Sequence, residues 1–338
     1  MEILGLNGVN DDSAAEEDDR DPKYLSNGCN AVSIRFIRTV KDFDDESLDF
    51  KPEMCHQFFG DDELIYGYTD LKIRLCYLAT TLDICYTYDY SSKMEDKKAG
   101  NKSDTADENV VDDLNELILE QMPGKQKIET NLNEYRARFA KTEETNNLPK
   151  PYGELVHCFH LTKDNKAKTI EIYYVETVTS AFKTFINRAM SLSLWFIDAS
   201  WYLDAEDEKW NYFVAYEKTK THNGKPIHYF IGYAAVYNYY AYPDHVRPRI
   251  GQILIIPPYQ RMGIGVQLLQ SIYRMYVLNA KVIDITVEDP SDNFVKLRDY
   301  VDCLNCMELD HYSSPASLKK GFSKEMAEEA RSRLKMPK

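Results

Sequence analysis

The 338-residue chain has no apolar run near the roughly 20 residues that a membrane helix needs. Its first stretch, MEILGLNGVNDDSAAEEDDRD, has neither a basic start nor a long apolar segment, so no secretory signal peptide is expected. Positive charge is in deficit: 41 Lys and Arg stand against 55 Asp and Glu, a formal net charge of −14. A nucleic-acid binder should carry a basic footprint, so this balance argues against direct nucleic-acid binding. It suits a cationic partner, which a field of one sign draws inward, although solubility alone accounts for the charge equally well. The 7 cysteines are odd in number and irregularly spaced, so no disulfide framework is expected and a reducing compartment, cytosol or nucleus, follows. Metal motifs are missing too. Cys303 and Cys306 form a single CxxC with His311 nearby, short of the four ligands of a structural zinc site. His157 and His160 stand three apart in a strand-like run, which puts them on opposite faces. Cys158 has no acyl-transfer context. No metal is expected, and no internal repeat is present.

What is there is aromatic and apolar material: 43% hydrophobic residues and 25 tyrosines, enough for a core and for a groove lined by rings with polar tips. The length suits about two domains. Residues 1–28 are acidic and expected to be a disordered tail. AVSIRFIR from Ala31 reads as a strand, and residues 55–90 alternate turns with β-rich runs. Residues 91–113 read as a polar loop, LNELILEQM as a helix, and the polar stretch 131–152 as a boundary. Beyond it come two strands (ELVHCFHL, KTIEIYYVE), a long helix over SAFKTFINRAMSLSLWFIDASWY, and two strands joined at Asn223-Gly224. RPRIGQILIIPP, a helix from about Gly263, the strand KVIDITVEDP and a helical remainder from about Asp292 complete the chain. The result is a mixed α/β architecture: an N-terminal α/β domain over 29–150, a core over 151–290 and a C-terminal helical segment over 291–338.

The stretch ILIIPPYQRMGIGVQLLQSIYR carries the strongest signal. Pro257 and Pro258 must end the strand, since proline cannot extend a ladder. Gly263 and Gly265 allow a tight turn and close approach of a ligand to the backbone. The first N–H groups of the following amphipathic helix have no partner within it and carry partial positive charge, which makes a phosphate site. A dinucleotide fingerprint would need a third glycine where Leu268 stands, and a Walker A loop would need Gly-Lys-Ser/Thr. What stands there is Gln260-Arg261-Met262-Gly263-Ile264-Gly265, a Q-x-x-G-x-G pattern. It resembles the pyrophosphate loop of the GNAT acetyltransferase superfamily. That resemblance implies a splayed mixed β-sheet flanked by helices, acetyl-CoA as cosubstrate, and the edge of Ile253, Leu254 and Ile255 paired with the pantetheine amides. Val266 and Ser291 join the expected cofactor-binding positions.

Longer blocks extend the likeness. CHQFFGDDELIYGY, LWFIDASWYLDAEDEKWNYFVAYEK, YNYYAYPDHVRPRIGQILIIPPYQRMGIGVQLL and DITVEDPSDNFVKLRDYV together resemble the catalytic subunit of the type B histone acetyltransferases, from about residue 29 onward. The resemblance implies acetylation of lysines in the tail of free, newly made histone four, with a WD-repeat histone-binding partner, in nucleus and cytoplasm. Family members can continue past the position of Lys338 with more helix.

Acetyl transfer from a thioester needs a neutral amine, whereas a free lysine has a pKa of about 10.4. A carboxylate must take the proton; the thioester, already activated, requires neither metal nor enzyme nucleophile. Glu288, closing VIDITVEDP, is the expected base: alternation puts Asp284, Thr286 and Glu288 on one face and Ile283, Ile285 and Val287 on the other. The family's matching glutamate is its catalytic base. Asp289 is a supporting neighbour. Asp198 stands where family members can carry glutamate, with a side chain one methylene shorter. By resemblance, Asp61, Asp62 and Glu63 in one turn, and Tyr237, Asn238 and Tyr239 on one strand, bind the histone tail; carboxylates attract lysine-rich peptide and tyrosine faces hold cations. Two other readings stay open: a GNAT transferase acting on another amine, and a histone-binding scaffold without catalysis.

Overall fold

The computed structural model describes residues 20–95, 110–123, 128–145, 148–163 and 166–337. Strand β1 (Leu25–Asn27), the single-turn helix α1 (Gly28–Ala31) and β2 (Val32–Ile37) open the fold. Helix α2 (His56–Phe59) follows, then strands β3 (Leu64–Tyr66), β4 (Tyr68–Thr69), β5 (Lys72–Leu78), β6 (Ile84–Asp89) and β7 (Ser92–Lys93). Helices α3 (Leu114–Leu119) and α4 (Leu132–Thr145) lead to β8 (Glu154–Lys163) and β9 (Lys166–Val175). Helix α5 (Ser180–Ser193) precedes β10 (Trp210–Lys220), β11 (Pro226–Ala241) and β12 (His245–Ile255). Helix α6 (Ile264–Val277), the short β13 (Thr286–Val287) and helices α7 (Asp292–Cys306), α8 (Pro315–Leu318) and α9 (Lys324–Leu334) complete it.

The main sheet runs β13-β12-β11-β10-β9-β8, antiparallel throughout except for the β12–β13 pair. A three-stranded sheet, β2-β5-β6, belongs to the N-terminal part. The expected boundary near residue 150 falls among described residues 148–153, which form neither helix nor strand, just ahead of β8. Side chains from both sides of it share a core. Phe36 stacks on Phe230 with centroids 6.4 Å apart, and the Phe230 N–H donates to the Ala79 carbonyl at 2.8 Å. No described helix is long and apolar enough to cross a membrane.

The structure differs from the sequence reading at several elements. Residues 1–19 of the expected tail lie outside the described residues, but Leu25–Asn27 pairs with Leu64–Tyr66, so order begins earlier than residue 29. The acid-rich composition ends at Asp21, and Tyr24 and Leu25 behind it are ordinary strand material. Of the expected loop 91–113, residues 96–109 lie outside the described set, while Ser92–Lys93 pairs with Tyr68–Thr69. The polar stretch 131–152 contains α4, whose Tyr135 and Phe139 pack with Phe43, Ile37 and Leu78 in a second cluster. Tyr135 also donates its hydroxyl to the Asp83 carbonyl at 2.6 Å. Two aromatic residues four apart suffice to dock a helix whose other face is charged. Finally, α5 stops at Ser193 rather than running to Tyr202, and Trp195 is fully buried in the turn that follows.

Candidate active site at the fork of two strands

Strand β12 pairs with β11 along its whole length, from Gly232↔Ile255 to Ala241↔His245. With β13 it pairs only at Arg249↔Thr286 and Ile250↔Val287. The Glu288 N–H closes the contact by donating to the Ile250 carbonyl at 3.0 Å. Past this point the strands part, so Ile253, Leu254 and Ile255 present a strand edge with no β13 partner. This is the splay the sequence reading expected, and an edge of this kind can pair with amide groups of a ligand.

The edge leads into the glycine turn. Pro257 to Tyr259 form one 3₁₀ turn. The Gln260 side-chain amide donates back to the Ile255 carbonyl at 2.9 Å. Its amide therefore braces the loop from within. Arg261 (φ 60°) and Gly263 (φ 77°) both take the left-handed backbone region. Gly263 is the N-cap of α6 and provides no capping side chain. The opening N–H groups of α6 thus face outward without a side-chain acceptor, whereas Thr179, Ser291 and Ser323 cap α5, α7 and α9. Behind them Leu268, Leu269 and Ile272 are fully buried. Each contributes roughly 1.5–3 kcal/mol and holds the helix start in place. Val266 and Met262 pack at the edge of the same core. Ser291, expected among the cofactor-binding positions, uses its hydroxyl to accept from the Phe294 N–H at 3.3 Å at the start of α7.

Glu288 stands at the fork. Its Oε2 lies 3.6 Å from where a β-carbon on Gly251 would be. Asp284 and Thr286 face the same strand: Asp284 accepts from Arg247 at 2.6 Å, and Thr286 from Arg249 at 3.4 Å. The acidic half of the expected alternation holds. The apolar half does not: Ile285 is buried but Ile283 is exposed, because only Thr286–Val287 is regular strand. Asp289 is exposed with φ 30°.

Gly251 is the extra residue of a bulge, since the register jumps from Ala235↔Gln252 to Val236↔Ile250. The Trp210 indole rests on it, 3.1 Å from the β-carbon position. Trp210 meets Tyr237 edge to face at 4.9 Å, Tyr237 meets Tyr239 at 4.6 Å, and the Arg249 guanidinium lies 4.8 Å from the Tyr239 ring. An aromatic wall thus runs from Gly251, beside Glu288, along β11. The Tyr237 hydroxyl donates to Asp207 at 2.8 Å, and that carboxylate pushes its pKa up. Asn238, between the two tyrosines, points the other way and donates to the Lys209 carbonyl at 3.1 Å. Strand alternation therefore splits the expected trio: two residues line the wall and the third ties β11 to the start of β10. Sequence reasoning missed Trp210. Its signal was a tryptophan opening a strand, which without the bulge at Gly251 has no addressee.

The acidic turn divides as well. Asp61 is exposed, and Asp62 pairs with Arg20 at 2.6 Å while keeping about half of its side chain in solvent. Glu63 turns inward. It accepts from the backbone N–H groups of Cys55 and His56, the latter at 3.1 Å, and lies 3.5 Å from the Cys29 thiol. The Cys55 N–H chiefly holds the Glu63 carboxyl below its usual range, while burial pushes the Cys55 thiol far up. The sulfurs of Cys29 and Cys55 are 3.2 Å apart. With Glu63 they make a three-donor cluster within 4.8 Å, at a place where the sequence shows no metal motif. Glu63 thereby clips α2 to the turn.

Asp198 lies in the turn after α5, well exposed, with its Oδ1 3.2 Å from His56 Nε2. Two links carry this turn toward the fork. Gln57 donates to the Ser200 carbonyl at 2.6 Å, and Gln252, beside Gly251, donates to the Trp201 carbonyl at 2.8 Å. Elsewhere, His157 contacts Gln267, His160 contacts Thr169, and His311 pairs with Glu329, so each of these three histidines has its own partner.

Three family models match the chain: "Histone acetyl transferase HAT1 N-terminus" over residues 24–198, "Acetyltransferase (GNAT) family" over 179–296, and "Histone acetyltransferase type B catalytic subunit, C-terminal" over 298–338. A rat (Rattus norvegicus) protein named histone acetyltransferase type B catalytic subunit is 34% identical over 318 residues, covering 94% of this chain and 72% of the relative. The human (Homo sapiens) protein of the same name is likewise 34% identical over 94% of this chain and 72% of its own length. A Dictyostelium discoideum protein of that name is 29% identical over 89% of this chain and 62% of its own length.

Proposed function

The chain belongs to the type B histone acetyltransferase catalytic subunits, GNAT-fold enzymes that use acetyl-CoA, and from that premise we propose that it acetylates tail lysines of free, newly made histone four by direct attack, with Glu288 as general base. One observation carries the reading. The Glu288 carboxylate stands where β12 and β13 part, and the free edge of β12 leads from there through the glycine turn to the uncapped start of α6.

In this reading the α6 N–H groups hold the diphosphate of coenzyme A, and the Ile253–Ile255 edge pairs with the pantetheine amides. The thioester then lies toward the fork. The substrate lysine enters along the wall of Trp210, Tyr237 and Tyr239, its stem against the rings. Glu288 takes the ammonium proton, the free amine attacks the thioester carbon, the C–S bond breaks, and the leaving thiolate takes up the second proton that the nitrogen sheds, so coenzyme A departs as the thiol. Asp289 adds negative charge beside the base. Asp198 and His56 form a second acid–imidazole pair at the rim, and Asp61 and Asp62 attract the basic tail. A WD-repeat histone-binding partner and residence in nucleus and cytoplasm belong to the same proposal.

Labelled acetyl-CoA, offered with a histone-four tail peptide and separately with small amines, tests it. Label on tail lysines is expected. Label on the small amines alone would make the chain a transferase for another amine, and tight peptide binding without label would make it a scaffold.

A further inference from the structure

We propose that Tyr259 is the positioning residue of the cofactor loop, anchored by the buried carboxylate of Glu217. The inference rests on the reading that this loop holds the diphosphate, and it names what fixes the loop before the ligand arrives.

Tyr259 directly precedes Gln260, and only 5% of its surface is exposed. Its hydroxyl donates to Glu217, itself 7% exposed on β10. The same carboxylate receives Arg38 at 2.9 Å and Lys168 at 3.0 Å. Those two cations also face the Tyr259 ring, with the Arg38 guanidinium 5.5 Å and the Lys168 ammonium 5.1 Å from its centroid. Ring and hydroxyl are thus both held. The anchors come from three places far apart in sequence: the end of β2, β9 and β10.

On the other side of the loop the buried Ile264, Leu268 and Leu269 seat the start of α6. Gln260 ties back to Ile255, but Arg261 and Gly263 are exposed, and nothing stands within 4 Å of a β-carbon placed on Gly263. Tyr259 is thus the buried anchor of the stretch that joins the β12 edge to the α6 N–H groups. A preorganised loop costs less ordering on binding, so a loosened anchor should appear in cofactor affinity and leave the chemical step alone.

Tyr259→Phe keeps the buried ring and leaves Glu217 with two cationic partners, so the fold should persist. We expect the KM for acetyl-CoA and the Kd for coenzyme A to rise roughly three- to tenfold, a fraction of what a hydrogen bond to a charged group is worth, since the anchor acts on the cofactor only through the loop. The kcat at saturating cofactor, the KM for tail peptide and the melting temperature should stay close to wild type. Arg38→Met should move cofactor affinity in the same direction. Unchanged coenzyme A affinity in Tyr259→Phe overturns the anchor, as does a variant in which both KM values rise and melting falls together. Gly263→Val separates the two levels, because a β-branched residue cannot easily take φ 77°. If it abolishes coenzyme A binding while Tyr259→Phe does not weaken it, only the anchor fails. If Gly263→Val binds coenzyme A normally, the loop reading and the anchor fall together.

Discussion

The Cη2 atom of Trp210 lies 3.1 Å from the point that a β-carbon on Gly251 would occupy. Glu288 Oε2 lies 3.6 Å from the same point. An alanine at 251 therefore cannot enter without the indole beside Glu288 giving by a few tenths of an ångström. Gly251→Ala should lower kcat/KM by about tenfold, because small displacements of positioned groups are costly in rate. Steady-state kinetics with a melting curve checks this: activity should fall much more than stability.

Glu288→Gln tests the base directly. The rate at neutral pH should fall by roughly 10²- to 10⁴-fold. The residual rate should climb about tenfold per pH unit below the ordinary lysine pKa of about 10.4, since only the neutral amine attacks. A pH–rate profile on tail peptide measures both. A variant that keeps the wild-type rate at neutral pH would remove Glu288 from the mechanism.

The Glu63 clip predicts an acid limit. Its carboxyl is lowered, chiefly by the Cys55 N–H, so the folded state favours the charged form more than the unfolded state does. That stability is present above the ordinary carboxylate range and is lost as pH falls through the lowered folded value. Glu63→Gln should melt earlier than wild type at pH 7, and the gap should shrink as pH falls below the ordinary glutamate pKa of about 4.3. Thermal melts at several pH values read the difference, and a gap independent of pH would rule out a charged clip.

Phe58 and Trp195 stack with centroids 3.7 Å apart and planes 7° from parallel, which docks α2 on the turn after α5. Phe58→Ala should cost about 3–5 kcal/mol of stability, as for other large aromatic truncations in cores. Chemical denaturation measures it. The same variant should weaken the His56–Asp198 contact, because α2 carries His56.

Much of the site's frame was legible along the chain. The strand, the paired prolines, the two glycines and the amphipathic helix are local signals, and the structure places them as read. What escaped depended on partners distant in sequence. Helix α4 hid among polar residues because only two rings dock it. Glu63 looked like a third surface acid beside Asp61 and Asp62, but the N–H groups of Cys55 and His56 turn it inward. Ser291 was read for a cofactor position, and its role in capping α7 appears only with the helix in place. Asn238 shared a motif with two tyrosines, yet alternation sends it to the opposite face.

By itself the sequence determined the glycine turn, the helix behind it and the acid at the end of the following strand, because proline, glycine and apolar period act over a few residues. Only the tertiary structure decided that β12 and β13 part beyond Ile250, that a bulge brings Trp210 onto Gly251 beside Glu288, and that Glu217 holds Tyr259. Those outcomes come from register and from the pairing of buried charges between segments up to 179 residues apart, which no local pattern encodes.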